Sequence, residues 1–286
     1  AGLMERLQIV KISPTENMTV LVETPVPGAR HAEIAEKLMA YGGVNCEQVG
    51  YIEPPRDPAA RARLQMMGGE FCGNATMSLA SFLCFCDAMP AGAQADIPLE
   101  VSGMEGTLAC HVCCLAEGEY EGTVQMPRPL SISRQTLAFS NTPYSVICVR
   151  MDGIAHLLID AKQVGGAGTS GSCQGARGAE PTAVSLDLLH AWAPLFAEEA
   201  VGLVLCDFER DEIRPLVYVK PTGSAVWERG CGSGSAAYGA AMAWKTGREV
   251  EIPVRQPGGT ITVRAGEKGV SIRGKVKIVM RGEAYV

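Results

Sequence analysis

Two cysteines lie in similar short segments that could each place a reactive thiol. Cys72 belongs to EFCGNATMS and Cys231 to ERGCGSGSAA, and a glycine follows each cysteine. The residues after each glycine are mostly small or apolar and predict a helix that begins near the thiol. Because the first N–H groups of a helix lack intrahelical partners and lie at the positive end of its dipole, we expect these positions to lower a thiol pKa from ~8.5.

A pair of such thiols suits the exchange of a proton on an α-carbon. One sulfur, as thiolate, would remove the proton from one face, and the other, as thiol, would deliver a proton to the opposite face. Backbone amides at the helix starts could bind the substrate carboxylate and stabilise the negative charge that develops on it. This chemistry requires that the two helix starts meet at one substrate.

The chain repeats itself at a displacement of about 150 residues, which indicates a duplicated fold. Four pairs of segments recur in the same order: Val49–Ile52 with Val201–Val204, the two cysteine segments, Gly106–Leu108 with Gly259–Ile261, and Gly122–Val124 with Gly274–Val276. Such a duplication could also carry no catalytic meaning. Alternating and β-branched runs predict strands in both halves, with one buried helix in each, over 75–87 and 235–245.

The length predicts two domains, because 286 residues exceed the usual size of a single core. We place the N-terminal half at 1–130, with Cys72, and the C-terminal half at 131–273, with Cys231. The C-terminal strand, about 274–286, is expected to pair back onto the first half. The Gly- and Ser-rich segment 165–181 is predicted to be a loop.

Composition narrows the classes of function. A content of 47% hydrophobic and 20% charged residues is typical of a globular protein, and a net charge of −6 argues against nucleic acid as a partner. We expect no membrane association, since no apolar run approaches ~18 residues, and without a recognisable secretory signal we expect a cytoplasmic protein.

The remaining cysteines are not predicted to take part in catalysis or to bind a metal. Their total of eleven is odd and irregularly spaced, so we expect reduced thiols, mostly buried as small apolar side chains. Cys110 and Cys113 form a C-x-x-C, but on a strand this spacing points the side chains to opposite faces, and we expect no metal site. His156, in a predicted strand, is expected to be a hydrogen-bonded core histidine.

Several segments together are similar to a known family. They are NMTVLV from Asn17, CEQVG from Cys46, the two cysteine segments and QPGG from Gln256. They resemble the diaminopimelate epimerase-like superfamily of cofactor-independent amino-acid racemases and, within it, the histidine racemases of opine-metallophore biosynthesis. The resemblance spans the chain. It implies an α/β (α+β) fold of two pseudo-symmetric domains, each a curved, largely antiparallel sheet around a central helix, with the substrate between them and no pyridoxal phosphate or metal.

The resemblance also implies roles for particular residues. Cys72 and Cys231 would be the base and acid, Glu228 would bind the substrate ammonium, and Arg229 aligns with a residue that recognises a distal carboxylate. The remaining substrate-binding positions are Asn17, Gln48, Gly73, Asn74, Gly232 and Ser233, of which the last four hold the carboxylate through their amides. This chain has Ile154-Ala155-His156 where diaminopimelate epimerases have Asn-Pro-His, which puts diaminopimelate in doubt as the substrate.

Several hypotheses about the function remain open at this point. A racemase or epimerase of a free amino acid, with histidine as one candidate, is favoured. A diaminopimelate epimerase, a carbon-acid isomerase that shifts a double bond, and a non-enzymatic small-molecule binding protein are the alternatives. A homodimer is compatible with each of them.

Overall fold

The computed structural model describes residues 5–164 and 183–286, so the segment 165–181, predicted as a loop, and Cys173 lie outside the described residues. The chain forms two compact units. Unit 1 extends to Gln125 and includes Arg273–Val286, whereas unit 2 comprises Met126–Ile272.

Unit 1 contains two helices and most of its strands in the first 126 residues. The elements are β1 (Arg6–Pro14), β2 (Thr19–Val22), α1 (His31–Met39), β3 (Gln48–Glu53), β4 (Ala62–Met66), α2 (Gly73–Cys86), β5 (Gln94–Val101), β6 (Thr107–Ala116) and β7 (Glu119–Met126).

Unit 2 has a similar order of elements. They are β8 (Ser131–Phe139), β9 (Thr142–Met151), β10 (Ile154–Asp160), α3 (Ala183–Trp192), β11 (Ala200–Asp207), β12 (Glu212–Val219), β13 (Ser224–Trp227), α4 (Gly232–Thr246), β14 (Val250–Gln256) and β15 (Gly259–Gly266). The last strand, β16 (Gly269–Tyr285), begins in unit 2, and its longer part belongs to unit 1.

The strand pairing has the same pattern in the two units. In unit 1, β1–β2 is antiparallel, β2–β3 parallel, β3–β4 antiparallel, β4–β5 parallel and β5–β6 antiparallel. In unit 2 the same series runs through β9–β10, β10–β11, β11–β12, β12–β14 and β14–β15. The matched segments Val49–Ile52 and Val201–Val204 lie in equivalent strands, β3 and β11. The repeat in the sequence is therefore a repeat of topology.

The two ends of the chain meet in unit 1. Strand β16 pairs antiparallel with β1, from Arg6 opposite Tyr285 to Pro14 opposite Val276. In unit 2 the equivalent neighbour of β9 is β8, which precedes it directly in the chain. The C-terminal strand thus fills in unit 1 the place that β8 fills in unit 2.

Helices α2 and α4 are the central helices of their units. Helix α2 is buried on nearly every side and packs against β1, β2, β5 and β6, and α4 packs against β9, β10, β14 and β15. The predicted sheet-dominated α/β fold with buried central helices is confirmed. Both helices begin earlier than predicted, at Gly73 and Gly232, because glycine's low helix propensity hid the first turn. Gly247, at φ 65°, ends α4.

Candidate functional site

Cys72 is the N-cap residue of α2. Its backbone is extended, with φ −132° and ψ 111°, and the N–H of Ala75 donates to its Sγ at 3.4 Å. Its carbonyl oxygen accepts two hydrogen bonds from Thr76, from the backbone N–H at 2.9 Å and from the hydroxyl at 2.7 Å. The thiol therefore caps the helix as a serine or aspartate side chain commonly does.

Cys231 has the same position at the start of α4. Its φ is −89° and its ψ is 112°, and the N–H of Gly234 donates to its Sγ at 3.2 Å. Ser235 repeats the two contacts of Thr76, with its N–H at 3.1 Å and its hydroxyl at 2.6 Å from the Cys231 carbonyl oxygen. The prediction that both cysteines lie at helix N-termini is confirmed.

In unit 1 the half-buried Cys72 thiol is linked to a network of side-chain amides through Gln48, to whose Oε1 it donates at 3.2 Å. The Gln48 Nε2 donates to Asn17 Oδ1 at 3.0 Å and to Thr19 Oγ1 at 2.7 Å. The second residue of α2, Asn74, donates from Nδ2 to Asn17 Oδ1 at 3.1 Å. Three of the predicted substrate-binding side chains therefore lie in one network with the thiol.

In unit 2 the second residue of α4 is anchored to a strand. The Ser233 hydroxyl lies 2.9 Å from Nε2 of His156 in β10 and 3.6 Å from Cys231 Sγ. His156 is completely buried, and its Nδ1 has no hydrogen-bond partner within the described residues. The expectation of a hydrogen-bonded core histidine is confirmed, and the hydrogen bond leads toward the thiol.

The surroundings of Cys231 oppose its ionisation. The side chain is 3% exposed, and this burial raises the pKa of the thiol well above its usual value, an effect that the nearby Glu228 carboxylate increases. Hydrogen bonds from Ser233 and from the Gly234 N–H lower the pKa by less. The sequence-based expectation of a lowered pKa is therefore wrong for Cys231, because loss of hydration outweighs the hydrogen bonds that the sulfur receives at the helix N-terminus.

Burial acts on His156 as well. It lowers the pKa of the imidazole from 6.5 to about 4, so that the ring is neutral near pH 7. Since Nδ1 has no acceptor, the proton is better placed on Nε2, where it is donated to Ser233. The Ser233 hydroxyl is then able to donate to the Cys231 sulfur.

Known proteins that resemble this chain cover its whole length. A family model described as the histidine racemase CntK N-terminal domain matches residues 6–285. A histidine racemase of Staphylococcus aureus is 30% identical over 296 residues, covering 98% of both chains. A histidine racemase of Fusobacterium nucleatum is 28% identical over 290 residues, covering 100% of this chain and 99% of the relative. The chain belongs to the histidine racemase family. It is accordingly an isomerase that acts on amino acids.

A solved structure extends the comparison to the fold. A hydroxyproline epimerase from Agrobacterium vitis, with bound trans-4-hydroxy-L-proline, superposes with a TM-score of 0.70 at 13% identity and covers 98% of this chain and 93% of that chain. This histidine racemase family member therefore shares its fold with a hydroxyproline epimerase.

The other predicted binding residues of this histidine racemase family member lie close to the two thiols along the chain. Gly73 and Gly232 are buried first residues of their helices. Glu228 follows β13, where its backbone N–H donates to the Pro215 carbonyl at 3.0 Å. Arg229 is exposed, with Nη2 3.2 Å from the Pro257 carbonyl. The structure thus groups these residues by unit, with Asn17, Gln48, Gly73 and Asn74 near Cys72 and the rest near Cys231.

Gln256 belongs to the QPGG segment that resembles the family, and in the structure its side chain positions the start of α4. Its buried side chain accepts from the Cys231 N–H at 2.8 Å and donates to the Ser235 hydroxyl at 2.6 Å. It fixes the first turn of α4 from the end of β14. The QPGG motif carried this signal, but a contact across 25 residues is not visible in the sequence.

Most of the other described cysteines are buried, as expected, and two are not. Cys46, Cys84, Cys110, Cys114, Cys148 and Cys206 are buried. Cys113 is half-buried and Cys86, at the end of α2, is exposed. Within residues 5–164 and 183–286 no group of three His, Cys, Asp or Glu side chains is arranged to hold a metal ion. Among the same residues no helix has the length and apolar character needed to span a membrane.

Proposed function

We propose that this protein racemises histidine without a cofactor, with Cys72 and Cys231 as the two groups that exchange the α-proton. The observation that carries the proposal is the equivalent placement of the two thiols, each at the N-cap of the central helix of one repeat. A thiol at a helix N-terminus lies beside amide donors that suit a carboxylate. The histidine racemases among the relatives support histidine rather than diaminopimelate as the substrate.

The reaction needs one sulfur with a proton and one without. Burial and Glu228 favour the protonated form of Cys231, so Cys231 starts as the acid and the more accessible Cys72 as the base when the α-proton faces Cys72. The α-proton passes to the Cys72 thiolate, and the Cys231 thiol gives its proton to the opposite face of the carbanion. The reverse reaction exchanges these roles.

The substrate's charged groups must be bound to make the α-proton acidic enough. We assign the carboxylate to the amides of Gly73, Asn74, Gly232 and Ser233, which stabilise the negative charge that it gains as the α-proton leaves. We assign the ammonium to Glu228, with Asn17 and Gln48 as further polar contacts. Arg229 is the charged residue through which the substrate side chain is discriminated.

The main test follows L-histidine in deuterated buffer by NMR and chiral chromatography. A two-base enzyme places solvent deuterium at the α-carbon of the D-product while the remaining L-substrate keeps its hydrogen early in the reaction. Cys72→Ser and Cys231→Ser should each lower kcat by about 1000-fold or more, because a serine hydroxyl is a far weaker acid. Cys86→Ser, an exposed cysteine on the same helix as Cys72, is the matched control and should keep its activity.

Two results would overturn the proposal. Inversion with the original hydrogen retained would exclude exchange through thiols, and normal turnover by both serine variants would exclude the cysteine pair. Parallel assays with diaminopimelate test the substrate. Glu228→Gln distinguishes the reaction from the double-bond isomerisation of an unsaturated diacid, since only an amino-acid substrate needs a partner for an ammonium group.

A further inference from the structure

The hydrogen bonds around Cys72 run in one direction and begin at a carboxylate. Asn17 Nδ2 donates to Glu47 Oε2 at 2.6 Å. A carboxylate only accepts, so this contact assigns the nitrogen of the Asn17 amide to the side of Glu47. Asn17 Oδ1 then faces the other way and accepts the two further N–H groups described above.

The next amide in the series is oriented by the same logic. Both hydrogens of the Gln48 carboxamide have acceptors, Asn17 Oδ1 and Thr19 Oγ1. The Thr19 hydroxyl commits its own proton to the Asn17 carbonyl oxygen at 2.9 Å, which leaves its lone pairs for Gln48. A flip of the Gln48 amide would set its oxygen against two acceptors. The remaining group, Oε1, is therefore turned to the sulfur of Cys72.

We propose that Glu47 is a positioning residue, which through Asn17 turns the carboxamide oxygen of Gln48 toward the thiol. A hydrogen bond accepted from the neutral S–H stabilises the thiol relative to the thiolate. Glu47 thereby makes the base of the proposed reaction hold its proton more firmly once it has taken it. The inference rests on the proposed function only in giving this contact a catalytic purpose. The contact itself does not depend on turnover.

Three variants separate orientation from charge. Glu47→Met removes the acceptor, so that Asn17 and Gln48 are free to reverse and present N–H to the sulfur. Glu47→Gln removes the charge but keeps an oxygen that accepts from Asn17. Thr19→Val removes the second acceptor of Gln48 without any change in charge, and it replaces one buried β-branched side chain by another of similar shape.

The readout is the rate of Cys72 alkylation by iodoacetamide between pH 6 and 10, followed by mass spectrometry of the Cys72 peptide. Because the thiolate is the nucleophile, the pH midpoint of this rate reports the balance between thiol and thiolate. We expect Glu47→Met to move the midpoint down by about one pH unit, roughly a tenfold faster reaction below it. Thr19→Val should move it in the same direction by less, and Glu47→Gln should stay near the original protein.

An unchanged midpoint in Glu47→Met overturns the inference, as does an equal shift in Glu47→Gln, which would make charge the cause. Thermal unfolding identifies variants that do not fold, and if Glu47→Met is one of them, Thr19→Val decides the question. No substrate is present in the assay. Its failure is therefore distinct from failure of the racemase proposal, which the deuterium experiment tests.

Discussion

Cys72 and Cys231 cap the equivalent helices of two repeats, yet they lie in different surroundings. The Cys72 thiol is half-buried and donates to the carboxamide oxygen of Gln48. The repeat aligns Gln48 with Ala200, which has no polar side chain, and in unit 2 the carboxylate of Glu228 acts on a thiol that is almost fully buried. Duplication therefore preserved the cap and its backbone contacts, whereas the groups that control the proton on each sulfur diverged. A reaction that needs an acid and a base at the same time benefits from such asymmetry.

The largest expected difference between the two units is in thiol reactivity. At pH 7.5 iodoacetamide should modify Cys72 far faster than Cys231, because burial of Cys231 both limits access to the sulfur and raises the pKa of its thiol. Peptide mass spectrometry over a time course gives both rates in one sample, with exposed Cys86 as an internal reference. Similar alkylation rates at the two thiols would contradict the predicted difference in their surroundings.

The second difference concerns pH, because His156, which holds the second residue of α4, is titratable, whereas Asn17, which holds the second residue of α2, is not. His156 has its pKa lowered to about 4, so the unfolded chain binds a proton at higher pH than the folded chain. Stability should therefore fall by about 3 kcal/mol as pH drops from about 6.5 to 4. Denaturant titrations at several pH values measure the free energy of unfolding. This pH-dependent decrease should be absent in His156→Gln and should persist in Asn17→Ala.

Two glycines at equivalent positions, Gly50 and Gly202, give the third contrast. A Cβ on Gly202 would lie 2.3 Å from His156 Nδ1, on a ring held by its hydrogen bond to Ser233. A Cβ on Gly50 would meet the flexible end of Leu64 at 2.7 Å. Gly202→Ala should therefore cost about 2 kcal/mol and Gly50→Ala less than about 1 kcal/mol in chemical denaturation, since flexible ends can move aside. Equal costs would show that the imidazole is not rigidly held.

The smallest effect is expected in the turns that join the first two strands of each pairing series. Between β9 and β10 the turn has Gly153 at φ 77°, whereas between β1 and β2 it places Thr15 at φ 50° and Glu16 at φ 61°. Side chains at positive φ are strained, so Glu16→Gly should stabilise the protein by up to about 1 kcal/mol and Gly153→Ala should destabilise it by about as much. Thermal unfolding should show shifts of a few degrees in opposite directions, and shifts of the same sign would contradict the strain argument.

Elements with a strong local pattern were predictable, and elements that depend on distant contacts were not. Strand β3 has such a local pattern, since QVGYIE contains β-branched and aromatic residues. Helices α1 and α3 were missed. They pack through Ile34 and Leu38, and through Leu188 and Trp192, on clusters contributed by several strands. Helices of nine or ten residues are marginal by themselves, so their stability depends on that packing, although HAEIAEKLM in α1 does have the apolar spacing of an amphipathic helix.

The sequence by itself determined the repeat, the two thiols at helix starts and the sheet-dominated fold, because each depends on residue types within one short segment or on the match of two. Tertiary structure alone decided the surroundings of each thiol. The pKa of Cys231 follows from its burial beside Glu228, and the partner of Cys72 follows from an amide whose orientation begins at Glu47. Hydration and hydrogen-bond direction depend on everything packed around a group, and a linear pattern does not contain that information.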